Sequence, residues 1–321
     1  MYESLQSLDN VIINFNAGSM HIVNVILAFI MFGVALEIKV SDFKEIFYKP
    51  KSLFLGLACQ WLGLPLITFA IVALGHKLIP PGIAMGMILV AACPGGNMSN
   101  FISSVAKANV SLSVSLTGIT TIMAVVMTPL NFRLWGSLYV NFLSKRSDAL
   151  LQPITISFWQ MLFTLTILLI LPITLGILFA YYFPKAKKKI SKPVKVLSIL
   201  AFFAILVGAV MGNMDVFMNH LFYIFIIVFV HNGLALATGY TTGLAFKVTP
   251  ADRRSLMIET GIQNSGLGLA LLFNPKIFPA GIVTGGMLMV VAWWGVWHIV
   301  SGLTVAFGCR MKYKRQQAKQ Q

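Results

Sequence analysis

The chain has 321 residues, of which 58% are hydrophobic and only 10% charged, and its mean hydropathy is +0.85. A soluble domain carries about 25% charged residues. This composition therefore excludes a water-soluble globule and describes an all-α integral membrane protein, a single unit over 1–321 with no Ser/Pro/Gly-rich linker or low-complexity tract dividing it. The net charge of +15 would suit nucleic acid in a soluble protein, but here the basic residues fall in short clusters between apolar runs. They read as topology signals and contacts to anionic lipid headgroups, with no nucleic-acid partner expected.

The opening MYESLQSLDN lacks the basic start and short apolar run of a cleaved signal peptide, so no removed segment is expected. A helix needs about 20 residues to cross the hydrocarbon. Apolar runs of that length predict nine spans, at 20–38, 52–74, 81–106, 109–130, 154–183, 194–213, 219–245, 254–274 and 279–308. Two of them contain interruptions. The third reads GIAMGMILVAACPGGNMSNFISSVAKA, in which Pro94 lacks the amide hydrogen of a continuing helix and Gly95-Gly96 resist helix formation. The eighth, containing LMIETGIQNSGLGLALL, is expected to break around Gly261 and Gly266. Broken backbone inside a membrane is tolerated only where protein or a watery cavity satisfies it. A single kink is often only a bend, and a polar residue in a span commonly glues helices together. Two broken spans at corresponding places in two halves instead predict an inverted-repeat secondary transporter, with its site where the breaks meet. The halves are 1–150 with four spans and 151–321 with five, so the first is short of one helix.

Charge sets the orientation. With the N-terminus outside, the inner segments hold 19 of the 24 basic residues, including six lysines in PKAKKKISKPVK; Lys77, Arg133, Lys145, Arg146 and Lys276 lie outside. The positive-inside rule thus predicts an external N-terminus and a cytoplasmic C-terminus.

Of nine acidic residues, eight lie in loops or near span ends. Glu37 is at the end of the first span, two residues before Lys39, and reads as solvated or lysine-paired. Glu259 sits mid-span with no Lys or Arg at similar depth, and a carboxylate there costs about 3 kcal/mol unless it has a partner. A metal cation or a proton remains. A hard cation such as sodium prefers oxygen, and the oxygens at hand are Gln60, Ser99, Asn100, Ser113, Thr117, Gln263 and Asn264, with Ser113 and Thr117 on one helix face. Unwound carbonyls at Glu259, Thr260 and Ile262 are further candidates. His231 and His298 each stand alone in a span and read first as packed, hydrogen-bonded residues; no HExxH spacing occurs. Cys59, Cys93 and Cys309 have neither disulfide nor zinc-ligand spacing.

The stretches ACPGGNMSN, NVSLSVSLT, ETGIQNSGLG, HNG at 231–233, WHIVSG, IMFGVALEIKVSDFK and QWLGLP stand in the same order as in the bile acid:sodium symporter family, which the chain resembles over nearly its whole length. The resemblance implies an inverted repeat of five-helix units split into core and panel domains, with two broken helices crossing in the core. The chain lacks the first helix of ten-helix bacterial members and is similar to nine-helix members with an external N-terminus. Carried over, the family's first sodium site maps to Ser99, Asn100, Ser113, Thr117 and Glu259. Its second maps to Gln60, Gln263 and the backbone around Glu259, Thr260 and Ile262. The family's substrate positions map to Asn97, Met98, Asn264 and Ser265, with His298 on the cavity wall. Asn97 and Ile299 depart from residues common in the family, which leaves sodium coupling intact and puts bile acid specificity in doubt.

The expectation is a non-enzymatic symporter in a bacterial plasma membrane. It brings an organic anion (a bile acid, a steroid conjugate or a small acid such as pantoate) inward with two sodium ions, by alternating access. Half-helix N-termini at the crossing suit a carboxylate or sulfonate. A proton-coupled antiporter using Glu259 as carrier is the rival. A channel would need whole spans lined with polar residues, and an intramembrane enzyme a nucleophile beside a base; neither pattern is present.

Overall fold

A computed structural model describes residues 2–10, 17–37, 50–145, 158–211, 214–274, 276–278 and 284–318. Among these the regular structure is helical, with no named strand. In chain order the helices are α1 (Tyr2–Gln6), α2 (Ala17–Glu37), α3 (Pro50–Leu74), α4 (Pro81–Ala92), α5 (Met98–Val105), α6 (Val110–Ser144), α7 (Phe158–Tyr182), α8 (Pro184–Met211), α9 (Met214–Ala245), α10 (Pro250–Gly261), α11 (Ser265–Leu272) and α12 (Gly285–Ala318). Among the described residues, five stretches are long and apolar enough to cross a membrane: α3, α6, α7, the Met218–Ala245 part of α9 and the Gly285–Arg315 part of α12. Asn24–Gly33 and Pro81–Ala92 are shorter apolar helices.

Both expected interruptions occur. α4 stops at Ala92 and α5 starts at Met98, so Pro94-Gly95-Gly96 lies in an unwound link. In the second, the unwound residues are 262–264; Gly261 is the last residue of α10, and Gly266 lies inside the first turn of α11 rather than at the break. Asn264 explains that shift, because its Oδ1 accepts from Leu267 N at 3.0 Å and caps α11 ahead of the glycine. α3 widens into a π-turn at Cys59–Gly63, upstream of Pro65, and α7 does so at Thr166–Ile170, upstream of Pro172. A missing proline amide leaves a carbonyl without its usual partner, which accounts for both distortions.

The expected loop boundaries move in several places, among them the end of α12, which runs to Ala318 past the predicted end near 308. α6 runs through Pro129 to Ser144, past the predicted end near 130, with Asn131 accepting from Trp135 Nε1 at 3.1 Å. α8 starts at Pro184, so the lysine-rich segment is helical.

α4 and α11 are enclosed: every residue from Gly82 to Ala92 is buried, and so is every residue from Ser265 to Leu272. Around them large apolar side chains point outward, among them Phe54, Leu62, Leu74, Trp159, Phe163 and Phe222. A soluble protein would not expose such a belt; a lipid-facing surface requires one. The broken segments thus sit inside, where neighbouring helices supply partners for the freed backbone.

Candidate sodium and substrate site

The two breaks meet as an antiparallel backbone pair. Gly96 N donates to Ile262 O at 2.7 Å and Asn264 N donates to Pro94 O at 2.9 Å, with Gly95 opposite Gln263. Each unwound link therefore satisfies groups of the other. Only glycine fits at position 96, where a Cβ would lie 2.7 Å from the Gln263 carbonyl oxygen; one on Gly95 would lie 2.9 Å from Glu259 Oε2 and press on that side chain.

Glu259, in the last turn of α10, is buried and faces the first turn of α5 and one stripe of α6. Its Oε1 accepts from Ser99 Oγ at 2.5 Å, from Ser113 Oγ, and from Thr117 Oγ1 at 3.1 Å, the last also 3.1 Å from Oε2. Asn100 Oδ1 lies 3.0 Å from Ser113 Oγ and 3.3 Å from Thr117 Oγ1. Ser99 Oγ and Thr117 Oγ1 are 3.1 Å apart, and Thr117 Oγ1 is also 3.0 Å from Ser113 O. Three hydroxyl protons thus serve a carboxylate, a carboxamide oxygen and a backbone carbonyl. Oxygens outnumber hydrogens, and among the described residues no basic side chain pairs with Glu259. A crowd of hard oxygens with one net negative charge fits a cation of sodium's chemistry. All five predicted residues of the first site converge here.

The second predicted set is also assembled, in a different way. Gln60, on the π-turn of α3, donates from Nε2 to Gln263 Oε1 at 2.7 Å, and Gln263 Nε2 donates back to Gln60 Oε1 at 3.1 Å. Gln263 Nε2 also reaches Thr260 O at 2.9 Å, and Gln60 Nε2 reaches Cys93 O at 3.4 Å. Two carboxamide oxygens and two carbonyls are therefore side by side. The Ile262 carbonyl has one lone pair committed to Gly96 N.

Asn97 and Asn264 stand immediately before α5 and α11, so both half-helix N-termini start at the crossing. Asn264 Nδ2 and Ser265 Oγ are buried and hold no protein hydrogen bond. Met98 leans on the apolar cluster of Ile102, Ile258 and Ile262. His298 is buried on α12, and no hydrogen bond joins its side chain to these four residues. His231 is the packed residue expected: its Nε2 is 2.7 Å from Thr68 Oγ1 and its ring lies against Trp294. The Thr68 hydroxyl donates to Leu64 O, which makes His231 Nε2 the donor. Glu37 ends α2, and its side chain falls outside the described residues.

Two residues escaped prediction. Asn232, fully buried on α9, donates from Nδ2 to Gly261 O at 2.7 Å and accepts from Ser301 Oγ at 2.5 Å. It closes the open C-terminal end of α10; its signal was a polar residue in VFVHNGLA, close to a break that needed a donor. Asp252 is buried in the first turn of α10, where it accepts from Ser52 Oγ at 2.9 Å and Asn109 Nδ2 at 2.8 Å. Asn109 also caps α6, and Arg254 donates to the Lys107 carbonyl. These contacts tie the starts of α3, α6 and α10 together below the crossing.

The sequence pattern of the Sodium Bile acid symporter family matches residues 24–220. An uncharacterized sodium-dependent transporter of Bacillus subtilis, YocS, is 31% identical over 309 residues, covering 92% of this chain and 85% of that protein. A probable chloroplastic sodium/metabolite cotransporter of Oryza sativa subsp. japonica is 30% identical over 83% of this chain and 62% of its own length. The P3 protein of Homo sapiens is 28% identical over 75% of this chain and 48% of its own length. The chain thus spans about half to three fifths of those rice and human relatives. The family pattern ends before Glu259, whereas the Bacillus match spans most of the chain.

Proposed function

The chain belongs to the Sodium Bile acid symporter family, and from that premise we propose that it carries an organic anion inward across a bacterial plasma membrane, driven by two sodium ions. The observation that carries this reading is the excess of oxygen over hydrogen around Glu259. One sodium ion is held by Ser99, Asn100, Ser113, Thr117 and the Glu259 carboxylate. The second enters between Gln60 and Gln263, whose carboxamides turn their oxygens toward it, with carbonyls at Glu259, Thr260 and Ile262 available beside them. Sodium here is a transported co-substrate. The relatives of this chain are transporters, which supports a non-enzymatic role.

The anion lies at the crossing, where Asn97, Met98, Asn264 and Ser265 meet the N-termini of α5 and α11 and His298 borders the cavity. Unpartnered Asn264 Nδ2 and Ser265 Oγ support this placement, and two half-helix N-termini favour negative charge. Ser99 and Asn100 on α5, and Gln263 beside α11, hold sodium next to the residues that would hold the anion. Filling the ion sites therefore orders the anion site. The range of substrates includes bile acids, steroid conjugates and small acids such as pantoate.

The architecture that goes with this reading is nine spans in two inverted repeats, 1–150 and 151–321, forming core and panel domains that exchange access between the two sides. Support comes from helical segments at each of the nine expected places and from the antiparallel meeting of the two breaks. An external N-terminus and a cytoplasmic C-terminus follow from the basic-residue bias.

Uptake of a panel of labelled anions into proteoliposomes, with sodium exchanged for potassium or choline, tests the function. A substrate accumulated only with inward sodium supports symport. Accumulation driven by a proton gradient without sodium would make the protein a proton-coupled carrier instead.

A further inference from the structure

The N-terminal part of α8 carries charge that takes no part in holding sodium or the anion, beyond its weight in the orientation. Lys185, Lys188, Lys189 and Lys192 follow the spacing i, i+3, i+4, i+7, which places them on one face of the helix, and all four are exposed. The other side of the helix is packed. Val194 and Ser198 approach α2 so closely that a Cβ on Gly33 would lie 3.0 Å from Val194 Cγ1 and 2.9 Å from Ser198 Oγ. Lys187, at i−7 and i−11 from those two residues, shares their side and is only half-exposed.

This lysine face is electrostatically unfavourable as it stands. Lys185 and Lys189, like Lys188 and Lys192, are like charges four residues apart, and they sit at the helix end where the peptide dipoles are already positive. No acidic residue occurs between Asp148 and Asp215. Among the described residues, no carboxylate pairs with any of the four. An anion must come from outside the segment.

The surroundings say what kind. The apolar run VLSILAFFAILVGAVM follows the lysines directly, which puts them at the edge of the hydrocarbon. Tyr181 and Tyr182, 76% and 68% exposed, end α7 beside them, and exposed aromatic rings at that level mark the headgroup region. We propose that the lysine face of α8, with Tyr181 and Tyr182 beside it, is a docking site for the headgroups of anionic phospholipids. Phosphate oxygens between the lysines relieve the repulsion, while the acyl chains lie along the apolar part of α8. Because α8 packs on α2, the lipid holds this helix pair at the membrane surface.

The test uses the full chain in nanodiscs of equal phosphatidylglycerol and phosphatidylcholine, with the ratio of the two lipids that remain bound after extraction read by mass spectrometry. The unaltered protein is expected to enrich phosphatidylglycerol. K185Q/K188Q/K189Q/K192Q should lose that enrichment, a fall of well over tenfold, since each lysine near an anionic surface contributes about a factor of five. The same four positions changed to Arg should keep it, and K187Q, on the packed side, should leave it unchanged. If the fourfold variant fails to insert, K188Q/K189Q set against K187Q carries the test. Equal enrichment in the neutralised and unaltered proteins would overturn the proposal. So would an equal loss in K187Q and K188Q/K189Q, which would mean that total charge and not this face governs lipid retention.

Discussion

Glu259 is expensive to keep inside a membrane, and its surroundings have the chemistry to make a cation the repayment. Glu259→Ala removes the carboxylate proposed to hold sodium and Gln263→Ala removes one of the paired carboxamides; each is expected to abolish sodium-driven uptake. Normal uptake by Glu259→Ala would leave the ion-site assignment without its centre. Gly95→Ala is a subtler probe, because the added carbon would lie 2.9 Å from Glu259 Oε2 and must push the carboxylate. A displacement costing about 1.4 kcal/mol of sodium binding raises the half-saturating sodium concentration about tenfold, measurable from uptake curves. Asn97→Ala, at the start of α5, should shift preference among anions while leaving the sodium dependence in place. An equal loss for every anion and for sodium would make Asn97 structural. Gln263 and Asn264 were legible as candidate site residues because polar groups in an apolar run need partners. Asn232 was not, because its reason for being there is a carbonyl 29 residues away on another helix.

The helices are held in place by their ends. α6 is capped by Asn109, α10 by Thr249, whose hydroxyl accepts from Asp252 N at 3.2 Å, and α11 by Asn264. α10 ends without a side chain of its own to close it, and Asn232 on α9 does so instead. Asn232→Ala leaves the buried Gly261 carbonyl and the half-buried Ser301 hydroxyl without this partner, a loss of about 1–3 kcal/mol. A fall in the thermal unfolding midpoint of the detergent-solubilised protein is expected, and Asn232→Asp, which loses the donor, should fall as well. An unchanged midpoint for both variants would show that the bond contributes nothing. The interruptions themselves were readable from Pro94, Gly95 and Gly96, whose effect on a helix is local. That Gly266 lies within α11, and that α6 continues past Pro129, depended on a cap and on neighbouring helices.

Each unwound link completes the other's hydrogen bonds, so in the proposed scheme ion binding at the crossing is tied to the transport cycle. Two sodium ions with one monovalent anion carry a net charge of +1 inward, and one charge across 100 mV is worth about 2.3 kcal/mol. Uptake is therefore expected to rise with an inside-negative potential and to depend cooperatively on sodium, because Glu259 is shared by both proposed ion sites. Proteoliposomes with a potassium diffusion potential and a substrate of charge −1 provide the measurement. Potential-independent uptake with a sodium Hill coefficient of one would reduce the scheme to a single ion, with Gln60 and Gln263 serving only to bridge helices.

Composition alone made this a membrane protein, since 10% charged residues cannot cover a soluble surface. Proline and glycine marked the breaks, and a carboxylate without a basic neighbour marked the centre of the candidate site, because these effects act within a helical turn or against the solvent. Which groups meet across the molecule was a matter for packing. Gln60 and Gln263 lie 203 positions apart and bond in both directions. Asp252 resembles a loop acid until Ser52 and Asn109 enclose it. A hydrogen bond between distant segments leaves no periodicity in either of them, so only the folded chain could reveal those partners.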